Sequence, residues 1–369
     1  MATFAAMIDP ALFRERLLSW HDRHPRPLPW KASDDPYLIW LSEIILQQTR
    51  VEQGLPYFER FREAFPTVRA LSDASLDLVL KHWEGLGYYS RARNLHGTAR
   101  YISGELDGRF PDTYEAIKAL KGIGPYTAAA IASFAFGLPH AVVDGNVYRV
   151  LARIFGIAEP IDSTEGKKIF ARLAQELLDP NLPGEYNQAI MDFGATWCTP
   201  ARPKCSGCPF RADCVAYSEQ RIADLPVKSK RTTRRKRFFH YLVLECRGQV
   251  LLQQRREKDV WQHLFQFPLL EADRLYESEE EVREQPLWKQ LTGDRSCQLR
   301  QVSKSFSQTL SHQQINAVFW EFDLPELPPL IDDTYLPVDR KNLRNFAFPK
   351  IIDWYLRDNS LYLKMLGKA

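Results

Sequence analysis

The sequence predicts a mainly α-helical first part and a smaller α+β domain after it, on three observations. Apolar residues at helical spacing, punctuated by prolines and glycines, recur from residue 11 to about Leu178. At Leu120-Lys121-Gly122-Ile123-Gly124-Pro125-Tyr126-Thr127 two glycines two apart join helix-like segments, and Thr127 to Phe136, uncharged and alanine-rich, reads as a tightly packed buried helix. After a basic run, residues 224 to 237, the composition turns strand-like.

The length of 369 residues suits two or three domains, and 45% hydrophobic with 26% charged residues is ordinary for a soluble globular protein. A formal charge of +3 does not by itself point to nucleic acid. Met1 to Pro10 is too short and interrupted for a signal peptide, and no uncharged run approaches the length that spans a bilayer, so an intracellular protein is expected. Of six cysteines, four crowd into residues 198 to 214; Cys246 and Cys297 stand alone and are expected to be buried or inert.

Leu12, Phe13, Leu17 and Trp20 give residues 11 to 24 a helical stripe, which Pro25-Arg26-Pro27-Leu28-Pro29-Trp30 stops. Pro36 opens a helix whose Tyr37, Leu38, Leu41, Ile44, Ile45 and Gln48 share a stripe; Glu43 falls opposite, the place of a solvated surface glutamate. Gly85-Leu86-Gly87-Tyr88-Tyr89-Ser90-Arg91-Ala92-Arg93 combines stacking and phosphate-binding groups, or is a turn with snorkelling arginines. The hairpin at Gly122 and Gly124 feeds a helix N-terminus, whose free N–H groups suit a phosphate, but a G-x-G is also an ordinary inter-helix turn. Asp144, twenty residues beyond Gly124, can cap the helix carrying Val147, Val150, Leu151 and Ile154.

The cysteines are spaced Cys198-x6-Cys205-x2-Cys208-x5-Cys214; only one pair has usual structural-zinc spacing, and four thiolates over seventeen residues can surround a [4Fe–4S] cluster. Arg202, Lys204 and Arg211 interleave them. The run DLPVKSKRTTRRKR holds seven basic residues and reads as a linker, with DNA backbone as its preferred partner. Phe239 to Leu244 and Val250 to Gln254 flank a turn and predict a hairpin, and a strand is expected from Ile315 to Phe322.

L-x-G-I-G-P-Y-T-A followed by V-D-G-N, E-x-x-L-Q-Q-T-x-V from Glu43 to Val51, G-L-G-Y-Y-x-R-A and the cysteine spacing together resemble the MutY-type adenine glycosylases, in the helix-hairpin-helix, iron–sulfur superfamily. The resemblance implies a six-helix barrel domain at 30–136, a cluster domain from 1–29 with 137–224, a basic linker at 225–237 and a Nudix-like domain at 238–360. It implies a [4Fe–4S] cofactor on Cys198, Cys205, Cys208 and Cys214, and excision of adenine mispaired with 8-oxoguanine or guanine in double-stranded DNA. Glu43 becomes the acid that protonates the base, Asp144 the charge that stabilises an oxocarbenium-like sugar, and Asn146 the group that orients water or Asp144.

Arg26, Leu28, Trp30 and Gln188 would grip the extruded base, and Gln48 and Thr49 would enter the duplex. Gly122 and Gly124 would hold phosphate, and Leu86 and Tyr88 would wedge into the opposite strand. Ser311 and His312 match the lesion-sensing loop, with Leu310 in place of its phenylalanine. Tyr126 stands where lyases of the superfamily carry a Schiff-base lysine, so a monofunctional enzyme is expected. Glu279 to Glu284 lacks the Nudix catalytic pattern, so no pyrophosphatase activity is expected. The implied protein acts as a monomer, off the membrane, in the bacterial cytoplasm with its nucleoid or in a eukaryotic nucleus. An endonuclease III-like enzyme for oxidised pyrimidines and a non-catalytic cluster-bearing DNA-binding protein are the alternatives.

Overall fold

Prolines and capping side chains begin the helices at the positions the sequence marks. The computed structural model describes residues 8–229, 233–293, 295–327 and 334–358. Its helices, in chain order, start with α1 (Pro10–Arg23), α2 (Pro36–Leu46), α3 (Val51–Ala64), α4 (Val68–Asp73), α5 (Leu76–Trp83) and α6 (Ser90–Glu105). They continue with α7 (Tyr114–Ala119), α8 (Pro125–Phe136), α9 (Gly145–Phe155), α10 (Thr164–Leu177), α11 (Pro183–Thr196) and α12 (Val215–Ser218). Asp9, Asp35, Thr113, Asp144 and Ser163 each accept a backbone N–H at a helix start. The chain divides into two units, Met1–Asp73 with Asn94–Arg231 and Ala74–Arg93 with Thr232–Ala369.

In the first unit α1 sends Phe13, Leu17 and Trp20 into a core shared with α8 to α11. The alanines of α8 let it lie against α2, α7 and α11. Helix α2 corrects the expected stripe. It is apolar almost all round, so Ile39, Trp40, Ser42 and Glu43 are buried as well as Leu41, Ile44 and Ile45. It also ends at Leu46, and Gln48 lies beyond it with φ 55°.

The second unit holds an eight-stranded sheet, with β1 (Arg235–Cys246), β2 (Gln249–Gln254), β3 (Phe265–Gln266), β4 (Leu269–Ala272), β5 (Gln298–Val302), β6 (Phe306–Thr309), β7 (Gln313–Asp323) and β8 (Tyr335–Asp339). The predicted hairpin forms through Arg247 and Gly248, both at positive φ, as a two-residue turn needs. It is a minor pairing of β1, which runs parallel to β7 from Arg235 with Gln313 to Glu245 with Asp323. Both faces of the sheet are covered. Leu242, Leu244, Val318, Trp320 and Phe322 pack with Val282 of α13 (Glu279–Arg283) and Trp288 of α14 (Pro286–Thr292). On the other face Tyr241, Phe319 and Tyr355, the last from α15 (Lys350–Asp358), stack in sequence.

The basic run is only partly a linker. Leu225 is buried, the Val227 carbonyl accepts Ile161 N–H at 3.0 Å, and Ser229 bonds Asp162. Residues 230–232 lie outside the described ones. Arg237 is buried in β1 on Glu271 and Asp259, so it is unavailable to a DNA phosphate. The glutamates of 279–284 serve structure too: Glu281 completes a capping box and pairs with Arg274, and Glu279 pairs with Arg283. Cys246 and Cys297 are buried thiols. Among the described residues, no helix is long and apolar enough to cross a membrane.

Candidate active site and cysteine cluster

Asp144 owes its place to α9. Its Oδ1 caps the helix, accepting N–H of Asn146 and Val147 at 2.8 Å each, and its Oδ2 accepts the Asn146 side-chain amide at 2.8 Å. Arg149, one turn on, donates to Asn146 Oδ1 at 2.9 Å, to the Gly194 carbonyl and to the Cys198 carbonyl at 2.8 Å. The carboxylate is therefore fixed at a helix end, yet it faces a cleft of about 710 Å³ that Glu43 and Tyr126 also line. Burial pushes its pKa up, against the hydrogen bonds from Val147 and Asn146 and the charge of Arg149.

Glu43 enters the same cleft from α2 and is hydrogen-bonded to the Tyr126 hydroxyl. Burial first, then the charge of Asp144, raises its pKa to about 7, while Tyr126 works the other way. A carboxylic acid in this setting holds its proton near neutrality and can give it up to a base. The Tyr126 hydroxyl lies 3.5 Å from Met191 Sδ. Among the described residues no lysine lines this cleft, and Lys121 is exposed.

Arg26, Leu28, Trp30 and Gln188 line the cleft as well. The Trp30 ring packs edge-on against Phe58 at 5.3 Å while bordering the cavity. Pattern reading missed Asp192, one helical turn beyond Gln188. Its buried carboxylate accepts from Lys31 Nζ at 2.5 Å and Arg26 at 3.3 Å, with His21 Nε2 at 3.5 Å. Lys31 also bonds the Arg26 carbonyl at 2.9 Å, which closes the 26–31 segment on itself. Burial pushes Asp192 up, but His21, Lys31 and Arg26 together hold it below the ordinary carboxylate value. No local pattern announces these partners, whereas Arg149 lies at i+3 from Asn146 on one helix.

The glycine hairpin divides its labour. Gly122 has φ 82°, and a Cβ there would meet Asn94 at 2.7 Å, so glycine is required by the fold. Gly124 has an ordinary φ of −90° and caps α8 with no side-chain acceptor over the first N–H groups; a Cβ would meet no protein atom within 4 Å. Gln48 and Thr49 line the cleft, Gln48 exposed in a left-handed conformation that is uncommon outside glycine.

In the second unit Tyr88 is 48% exposed, also left-handed, and its hydroxyl lies 2.9 Å from Ser311 Oγ. Ser311 and exposed His312 occupy the β6–β7 turn, which Leu310 closes by donating to Gln313 O at 2.8 Å. Leu86 differs from Tyr88 in its exposure. It is 5% exposed, so as a wedge it would first have to leave its packing.

The cysteine loop follows α11. Cys208 feels the charges of Cys198, Cys214 and Cys205, and burial first, then those charges, pushes its thiol up to about 12. Arg153 approaches Cys198 Sγ at 3.6 Å and binds the Thr199, Pro200 and Leu225 carbonyls. Tetrahedral zinc, at about 2.3 Å from each sulfur, would draw thiolates to about 4 Å of one another. Among the described residues, the group whose ligand atoms approach within 4.8 Å is instead His21, Asp22 and Glu185. Four cysteines within seventeen residues, with no histidine among them, make an all-sulfur donor set of the kind that holds an iron–sulfur group. Arg202, Lys204 and Arg211 are exposed around it.

Residues 41–180 match the model of the HhH-GPD superfamily of base excision DNA repair proteins, and residues 240–358 match that of the NUDIX domain. The adenine DNA glycosylase of Buchnera aphidicola subsp. Acyrthosiphon pisum (strain APS) is 35% identical over 258 residues, covering 70% of this chain and 74% of that one. The Homo sapiens adenine DNA glycosylase is 46% identical over 222 residues, 58% of this chain and 41% of that protein. A thermostable thymine-DNA glycosylase superposes with a TM-score of 0.53 at 29% identity, over 57% of this chain and 97% of the other.

Proposed function

Since this chain belongs to the adenine DNA glycosylases of base excision repair, with a helical HhH-GPD domain followed by a NUDIX-like one, we propose that it hydrolyses the N-glycosidic bond of adenine mispaired with 8-oxoguanine or guanine. The observation that carries the reading is one cleft holding Glu43 as an acid poised near pH 7 and Asp144 as a fixed carboxylate. Adenine is a poor leaving group, and protonation of its ring by Glu43 makes it a better one. Asp144, held by the cap and by Asn146, stabilises the positive charge that develops on the sugar. Tyr126 orients the Glu43 carboxyl. With tyrosine there rather than lysine, and Lys31 bound to Asp192, no imine forms and the product is a bare abasic site.

Arg26, Leu28, Trp30 and Gln188 receive the extruded base, Gln48 and Thr49 fill the duplex behind it, and Gly122 with Gly124 admits the phosphate backbone. Tyr88, Ser311 and His312 read the opposite base. Cys198, Cys205, Cys208 and Cys214 would hold a [4Fe–4S] cluster, which when bound cross-links the loop and satisfies its thiolates. The partner is mispaired double-stranded DNA, met as a monomer inside the cell.

The test is single-turnover cleavage of duplexes pairing adenine with 8-oxoguanine, guanine, cytosine or thymine, each then treated with alkali. Strand breaks only after alkali, fastest opposite 8-oxoguanine, are expected. Breaks without alkali would overturn the monofunctional chemistry, and equal rates opposite guanine and 8-oxoguanine would remove the sensor role from Ser311 and His312.

A further inference from the structure

The cleft does not end at the acid. A second chamber of about 330 Å³ shares Trp30, Glu43 and Gln188 with it, so the two spaces have a common wall. Small residues leave this space open: Ser42 beside the acid, Ser33 in the loop before α2, and Gly184 at the start of α11. Gly184 sits so near α8 that a Cβ would meet the Ser133 carbonyl at 2.9 Å. A water occupies about 30 Å³ of liquid, so the chamber is far larger than the site of one structural water. Ile39 and Phe134 give it an apolar side, and Lys31, which also lines it, has its ammonium paired with Asp192.

The chemistry of the base says which of its edges faces this chamber. A proton delivered to N7 draws electron density from N9 most directly, since both belong to the imidazole ring. The exocyclic N6 stands on the same edge as N7. With Glu43 at that edge, N6 points toward the wall the two cavities share.

We propose that the base site extends past Glu43 into this chamber and accepts adenines alkylated at N6 as substrates for excision. The chamber takes the alkyl group against Ile39 and Phe134, while the purine ring keeps its place between Trp30 and Gln188. The proposal rests on the reading of Glu43 as the acid that meets the base.

The experiment compares single-turnover excision of adenine, N6-methyladenine and N6-propyladenine, each opposite 8-oxoguanine, by the wild-type protein and by Ser33→Trp. Ser33 is half-buried, outside the reaction machinery, and loses one hydrogen bond from Asp35 N–H. Should Ser33→Trp fold poorly by thermal melting, Glu185→Trp fills the chamber from an exposed position in the first turn of α11. Pocket discrimination against an extra methylene runs to about 10- to 200-fold. Wild-type excision of the propyl base within about 10-fold of adenine is expected, with that base alone lost by about 50-fold or more in the filled variant. A wild type that excises adenine but rejects both alkylated bases would overturn the proposal, as would filled variants that still excise N6-propyladenine. If Glu43→Gln leaves adenine excision intact, the underlying reading of the acid fails instead.

Discussion

Glu43 and Asp144 are both carboxylates, and their surroundings divide the work between them. Burial and the neighbouring negative charge leave Glu43 protonated up to about pH 7. Asp144 is also pushed up by burial, but three hydrogen bonds and Arg149 favour its charged form. Excision needs the first protonated and the second ionised. The single-turnover rate should therefore fall as pH rises through about 7 and Glu43 loses its proton, and fall again at acid pH as Asp144 gains one. Because the two groups feel each other, the bell reports the pair. A rate still rising between pH 7 and 9 would remove Glu43 from the role of acid. Glu43→Gln should cost about 10² to 10⁴ in rate, the range of a general acid, with duplex binding retained in a gel-shift assay. Asp144→Asn separates capping from catalysis. Asparagine caps as well as aspartate, so the melting free energy should stay within about 1 kcal/mol of the parent. Excision should nevertheless drop by about 10² or more once the negative charge is gone. A loss of stability matching the loss of activity would make Asp144 a cap and nothing else.

The hairpin into α8 offers the same separation at the level of an element. Gly122 is fixed by its φ of 82° and by Asn94, so Gly122→Ala should lose at least about 1–2 kcal/mol of stability. Gly124→Ala should leave stability within about 0.5 kcal/mol, because its backbone is ordinary and its Cβ would meet no protein atom. If phosphate approaches here, that methyl intrudes on DNA, and duplex affinity should fall while melting is unchanged. Unchanged affinity in Gly124→Ala would reduce the hairpin to an inter-helix turn. These glycines were legible in the sequence because a turn is a local affair, and so were the capping aspartate, the proline start of α2 and the cysteine spacing. What the sequence hid was set by distant packing. Periodicity put Glu43 on a solvent face, but α2 is buried on almost every side, and a helix so enclosed loses its stripe. Asp192 finds Lys31 across 161 residues, and β1 finds β7 in parallel register, with no signal in either segment.

Over the whole molecule, chain order and assembly part company. The segment Ala74–Arg93 belongs with the sheet-bearing unit, although helices of the other unit flank it in sequence. Lys81 donates to the Phe346 carbonyl, Glu84 accepts from Phe348 N–H and Arg93 donates to the Gln262 carbonyl, all around 3 Å. The link with functional weight is Tyr88 to Ser311, two candidate readers of the opposite base joined at 2.9 Å across 223 residues. A hydrogen bond made before DNA arrives holds both side chains at one spot and lowers the ordering cost of recognition. Since one bond serves both residues, removing either partner should have the same consequence, and removing both should add little. A net hydrogen bond is about 0.5–1.5 kcal/mol, so Tyr88→Phe and Ser311→Ala should each lower the preference for 8-oxoguanine over guanine by about 2- to 10-fold. The double variant should fall no further than the worse single one, in excision rates measured side by side on the two duplexes. Multiplying effects would mean that Tyr88 and Ser311 read the opposite base independently, and that their hydrogen bond is incidental to discrimination.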